Sequence, residues 1–88
     1  MPSRTVRVGS KIGLHARPAA LIAEAASLFE EEVLIAIEGF DDDAADAASS
    51  LSIMALGAEY GDTVVVQSVD EAAVEKIAAM IEGDLDRG

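Results

Sequence analysis

The spacing of apolar positions changes several times along this chain, and each change marks an element. Thr5-Val6-Arg7-Val8 alternates as a strand with one buried face does. Gly9-Ser10-Lys11-Ile12-Gly13-Leu14 breaks the alternation and reads as a loop. From Ala16 to about Phe29 the spacing is helical, with Pro18, Ile22, Ala25 and Phe29 on one stripe and Leu21 and Leu28 beside it. Pro18 is compatible with a helix only in its first turn, where an N–H has no helical partner, so the helix starts at His15-Ala16-Arg17. Glu30-Glu31-Glu32 interrupts the apolar pattern. Val33 to Ile37, rich in branched residues, reads as a buried strand. Gly39 to Asp43 reads as a turn or an acidic, solvated loop, and Ala44 to Ala47 as a weak strand. Ser49 or Ser50 caps a short helix ending at Leu56, with Gly57 as the left-handed residue after it. Tyr60-Gly61-Asp62 is a turn, and Thr63 to Gln67 is the clearest strand. Ser68 and Glu71 have the spacing of a capping box. The last helix runs to about Glu82 with Val74, Ile77, Ala78 and Ile81 on its inner face.

Strands that can pair as neighbours, with helices between them, predict an α+β domain whose helices cover one face of an antiparallel sheet. Residues 1–88 form a single domain, since 88 residues leave no room for two. Composition shapes the core. Apolar residues are 51% of the chain, but seventeen residues are Ala and only Phe29, Phe40 and Tyr60 are aromatic. A small core packed with Ala-lined helices follows. With no Cys and one His, thiol catalysis, Cys-ligated zinc, iron–sulfur clusters and multi-His metal sites are excluded. No metal and no cofactor is expected. A triple acid such as Asp41-Asp42-Asp43 lacks the spacing of a calcium loop.

The net charge is −11, which disfavours nucleic acid and anionic membranes as partners. No stretch approaches the roughly 18 apolar residues of a membrane span. Met1-Pro2-Ser3-Arg4-Thr5 leads directly into a strand without the features of a signal peptide, so a soluble cytoplasmic protein is expected. The charge is unevenly divided. Arg4, Arg7, Lys11 and Arg17 give the first 23 residues +4, and the remainder carries −15. A cationic segment in an acidic chain points to an anion handled near that segment.

His15 sits where that segment enters the first helix. The start of a helix offers unpaired N–H groups and the positive end of the dipole, a ready anion site. Arg17 adds a planar fork of donors suited to phosphoryl oxygens, Pro18 fixes the turn, and Arg4 and Lys11 add a more distant positive field. An imidazole placed there can take a phosphoryl group and hold it through a labile N–P bond. The same His could instead be a simple helix cap.

Gly13-Leu14-His15-Ala16-Arg17-Pro18, at a loop-to-helix junction, resembles the active-site motif of the HPr family, the histidine-containing phosphocarriers of the bacterial phosphoenolpyruvate-dependent sugar phosphotransferase system. Ala48 to Ala58 resembles the family's regulatory-serine segment and short second helix, and the likeness runs from Thr5 to about Leu85. The resemblance implies an open-faced four-stranded antiparallel sheet with three helices on one face. It implies a carrier rather than an enzyme. His15 would be phosphorylated on Nδ1 by enzyme I and would pass the group to the IIA component of a sugar permease. Ala16, Arg17 and Pro18 would form the phosphate-binding helix terminus, with Arg17 steadying the group in transfer. Ser50, Leu51 and Met54 fall on the partner-docking patch, although the three-residue spacing of Leu51 and Met54 alone would read as core. Regulatory proteins are further partners that the family implies, and a monomer is its default state.

Ser49 falls on the serine that an ATP-dependent kinase modifies in some members. This chain departs from the family around it. The stretch from Gly39 to Ser49 is about three residues longer than is common and rich in Asp, Ala48 replaces a frequent Lys, Ser50 a bulky apolar residue, and Ser52 a frequent Gly. Ser49 is therefore expected to act as a structural cap that a kinase modifies poorly. Two other readings stay open from sequence: an interaction module switched by His15 phosphorylation, and a small domain that binds a free anion at the helix end.

Overall fold

A computed structural model describes residues 2–83; Met1, Leu85 and Arg87 lie outside the described residues. The chain runs β1 (Ser3–Arg7), α1 (Ala16–Ala26), β2 (Leu34–Ile37), a 3-10 turn (Asp41–Asp43), β3 (Ala45–Asp46), α2 (Ser50–Ala55), β4 (Thr63–Gln67) and α3 (Glu71–Glu82). The strands form one sheet in the order β1-β4-β2-β3, every neighbouring pair antiparallel. This is the α+β class with an open four-stranded sheet and three helices that the sequence predicts.

Register explains which side chains are interior. Val6 lies opposite Val64, and Val66 opposite Ile35, so their side chains share one face of the pleat. All four are buried against the helices. The helices contribute Ile22 from α1, Ile53 from α2, and Val74, Ile77, Ala78 and Ile81 from α3. Small residues dominate this core, as the Ala content predicts, and Ala19, Ala47, Ala73 and Ala78 let the layers approach closely. Phe40 and Tyr60 stay outside, each 62% exposed.

Several boundaries differ from the sequence reading, each for a local reason. The first strand pairs over Ser3–Arg7 rather than 5–8, because Val8 leaves the ladder to bond Asp62 and Gly61 through its N–H and C=O. Helix α1 stops at Ala26, not Phe29. The Ser27 hydroxyl donates to the Glu24 carbonyl, and the Leu28 and Phe29 N–H groups take tighter i−3 partners. The buried stripe of α1 is Pro18, Ala19, Ile22 and Ala26, leaving Leu28 83% exposed. The Asp41–Asp43 stretch is a 3-10 turn, the turn alternative of the sequence reading. The capping box at Ser68 and Glu71 is not formed. Asp70 is the N-cap of α3, and its carboxylate accepts from the Ala72 and Ala73 N–H groups at 3.0 and 3.4 Å. A carboxylate directly before the helix satisfies two donors and meets the positive dipole end. Ser68 acts one step earlier, its Oγ accepting from the Asp70 N–H.

Candidate functional site

The segment before α1 is fastened on both sides of His15. The Gly13 N–H donates to the Ser10 carbonyl at 2.9 Å, closing a turn that requires φ +77° at Gly13. Leu14, 2% exposed, plugs the core, and its N–H donates to the Ala58 carbonyl at 3.0 Å. After His15, Pro18 and Ala19 are buried, and the Ala19 N–H returns to the His15 carbonyl at 2.8 Å. The backbone of His15 is thus held by neighbours, while the residue itself is exposed.

His15 is the N-cap of α1 with extended backbone, φ −92° and ψ −159°, yet its side chain makes no capping hydrogen bond. The simple cap reading of this residue is therefore corrected: the imidazole leaves the helix end open. Helix geometry gives the N–H groups of Ala16 and Arg17 no intrahelical partner. Pro18 has no N–H to offer and contributes rigidity only. Ala16 and Arg17 are both exposed. A charged oxygen beside His15 would therefore meet two backbone donors and the positive end of an eleven-residue helix.

The basic residues divide differently from the sequence expectation. Arg4 does not supply a distant field. Its guanidinium is paired with Glu75 on α3, with Nη1 2.5 and 2.7 Å from the two carboxylate oxygens. This is the one ion pair among the described residues, so Arg17 and Lys11 are left unpaired at the surface.

Helix α2 packs beside α1. Ser49 is its N-cap, as one of the two sequence options had it, and Ser49 Oγ accepts from the Ser52 N–H at 3.3 Å. Gly57 follows with φ +68°. Leu51 is 76% exposed, against the core reading of its spacing. Met54 is half-buried and packs on the core, and Ser50 is half-buried. Ile12, three residues before His15 and 46% exposed, is an apolar surface residue that the sequence reading had left within a loop. Its signal was a branched apolar residue between Lys11 and Gly13, where a solvated loop has no use for one.

A small α+β domain with one exposed His at an open helix start has the architecture of a group carrier, since that side chain lines neither groove found among the described residues. The comparisons agree. The family model described as the phosphorylation site of the HPr component of the phosphotransferase system matches residues 2–83. The phosphocarrier protein HPr of Streptomyces coelicolor is 39% identical over 84 residues, covering 92% of this chain and 88% of that protein. The crystal structure of HPr from Bacillus anthracis superposes with a TM-score of 0.81 at 31% identity, over 91% of this chain and 95% of that one. The HPr-like protein Crh of Bacillus subtilis is 34% identical over 97% of this chain and all of its own length, and its crystal structure, described as a swapped dimer, superposes with a TM-score of 0.65 at 31% identity over 96% of this chain and 97% of that one.

The chain belongs to the HPr family of the phosphotransferase system. Relatives such as that of Streptomyces coelicolor are named phosphocarrier proteins, carriers rather than enzymes. Among the described residues no helix is long and apolar enough to cross a membrane.

Proposed function

We propose that His15 takes a phosphoryl group from phospho-enzyme I and delivers it to the IIA component of a sugar permease. In the first step the Nδ1 lone pair of a neutral His15 forms the new N–P bond while the bond to the donor breaks. In the second the His15 N–P bond breaks as the acceptor's bond forms. Each transfer moves one phosphoryl group, and the two together return the imidazole to its starting form. The N–H groups of Ala16 and Arg17 would hold the phosphoryl oxygens, and the unpaired Arg17 guanidinium would spread their charge in transit. The observation that carries this reading is the exposed His15 at a helix start whose donors its own side chain does not use.

Leu51, with Ser50 and Met54 on the same short helix and the exposed Ile12 in the loop before His15, supplies a surface on which partners would dock. The donor of the whole relay, phosphoenolpyruvate, is a cytoplasmic metabolite, so the carrier is assigned there. A net charge of −11 opposes self-association and supports a monomer in solution, and sedimentation equilibrium tests it against the swapped arrangement described for Crh.

Incubation with phosphoenolpyruvate and enzyme I is the decisive experiment. The expected result is one acid-labile, alkali-stable phosphoryl group per chain, lost in His15→Ala, which keeps its fold because the side chain is exposed and makes no capping bond. Label that persists on the variant overturns the assignment. A folded wild-type chain that takes no label overturns the carrier reading.

A further inference from the structure

Away from His15, residues of the Asp41–Asp43 turn, β3 and the C-terminal end of α2 border an open groove of about 830 Å³. Its apolar lining includes Ala55 at the end of α2 and Leu56 that caps it, and Phe40 also lines it with 62% of its surface exposed. Leu51 and Met54 do not line it, so the groove is separate from the surface assigned to phosphotransfer partners. Four acids, Asp42, Asp43, Asp46 and Asp62, also line it. The Asp46 carboxylate is held in place by accepting from the Ala48 N–H at 2.9 Å.

These acids do not form a chelate. Among the described residues no group of three or more His, Cys, Asp or Glu converges as a metal site would. Their charge is distributed over a groove that also has apolar lining, which suits an extended cationic ligand better than a point ion. Nucleic acid and anionic lipid are repelled by the same acids, and a second copy of the chain brings −11 of its own. An exposed aromatic ring next to carboxylates is also a favourable seat for a guanidinium.

We propose that this groove docks a basic peptide segment of a partner protein, with one apolar side chain between Phe40 and Leu56 and Arg or Lys side chains along Asp42, Asp43 and Asp46. The contact does not use His15, so a partner held here leaves the phosphoryl site open. The inference is independent of the phosphotransfer reading.

The test uses the full chain and a fluorescently labelled peptide carrying Arg and Lys around a central Leu-Phe pair, with a counterpart in which Glu replaces the basic residues. Anisotropy at low salt should show binding of the cationic peptide alone. Amide shifts in the 15N-labelled protein should fall at Phe40–Asp46 and Ser52–Gly57. Asp42→Asn with Asp43→Asn should weaken binding roughly fivefold to tenfold, the yield of two partly exposed charge pairs. Removing the same charge outside the groove, as Glu30→Gln with Glu31→Gln, should change it by less than about twofold. Phe40→Ser should weaken binding as well; if that variant unfolds, the Asp pair alone decides. His15→Ala should bind the peptide as the wild type does, which keeps this outcome distinct from failure of the carrier assignment. Equal losses in the two double variants, binding of the acidic peptide, shifts centred on Ile12, His15 and Leu51 instead, or no binding at low salt would each overturn the proposal.

Discussion

Gly13→Ala probes the part of the fold that aims His15, and its cost can be worked from the structure. Gly13 adopts φ +77°, a left-handed conformation that costs an L-residue about 1–2 kcal/mol. A Cβ built there would stand 2.7 Å from the Ala58 carbonyl oxygen and 2.9 Å from the Glu59 Cα, both backbone atoms that no rotamer change can move. Relief requires the loop to withdraw from the same carbonyl that accepts from the Leu14 N–H at 3.0 Å, and losing that bond costs about 1 kcal/mol more. Reduced freedom of the unfolded chain offsets roughly 0.4–1 kcal/mol. The net loss should be about 1–2.5 kcal/mol, lowering Tm by roughly 4–20 °C in a domain this small. Gly57→Ala is the control. Gly57 has φ +68° but nothing within 4 Å of a built Cβ, so only the conformational part remains, about 1 kcal/mol. Urea and thermal unfolding give both values. At a temperature where both variants are folded, Gly13→Ala should also slow phosphoryl acceptance roughly tenfold, because a shifted Leu14 carries His15 with it, whereas Gly57→Ala should not. If Gly13→Ala costs no more than Gly57→Ala, the packing of the loop against Ala58 is not what holds His15.

Other substitutions separate chemistry, docking and capping. Arg17→Ala should slow both transfers, by up to about 100-fold if it supplies one donor worth ~3 kcal/mol, with stability changed by less than about 0.5 kcal/mol; quenched-flow transfer and a thermal melt read the two, and a rate change below about twofold removes Arg17 from the mechanism. Leu51→Glu should leave the melt unchanged while weakening enzyme I binding in titration calorimetry, whereas Ile53→Ala, at a fully buried position, should cost about 2–5 kcal/mol; unfolding by Leu51→Glu would restore the core reading of that residue. Ser49→Ala should cost about 1 kcal/mol by removing the N-cap bond to Ser52. Incubation with ATP and a family serine kinase should leave wild-type Ser49 largely unmodified, and stoichiometric acid-stable phosphate there would contradict the structural role.

The strands and helices with strong periodicity were legible because burial alone imposes that periodicity. β4 and the inner face of α3 are the clearest cases: Val64 and Val66 alternate inward, and Val74, Ile77, Ala78 and Ile81 are all buried. What sequence could not show depends on partners distant in the chain. Arg4 reads as a free cation until α3 brings Glu75 against it, 71 residues away. Leu28 fits the helical stripe of α1, but the helix ends two residues earlier, so that stripe no longer reaches the core. At the cap of α3, Ser68, Asp70 and Glu71 offer competing local solutions, and only the backbone geometry at Asp70 decides among them. The site divides the same way. The loop, the helix start and His15 were visible as a contiguous motif, whereas the exposure of Leu51 and Ile12 is set by how α2 and the loop pack.

The exposure of His15, Ala16 and Arg17 also sets a clock. A phosphohistidine formed there would stand in bulk solvent from the moment one partner leaves until the next arrives. Water can attack it throughout that interval, since the fold provides no wall of its own to exclude it. Delivery then becomes a race between diffusion and hydrolysis, and efficiency depends on the concentration of acceptor rather than on anything the carrier does while travelling. The dry cavity that phosphoryl transfer favours must be completed by each partner on arrival. A carrier built this way needs no conformational change to load or unload, and the lifetime of its free phosphorylated form limits how far apart its donor and acceptor can work.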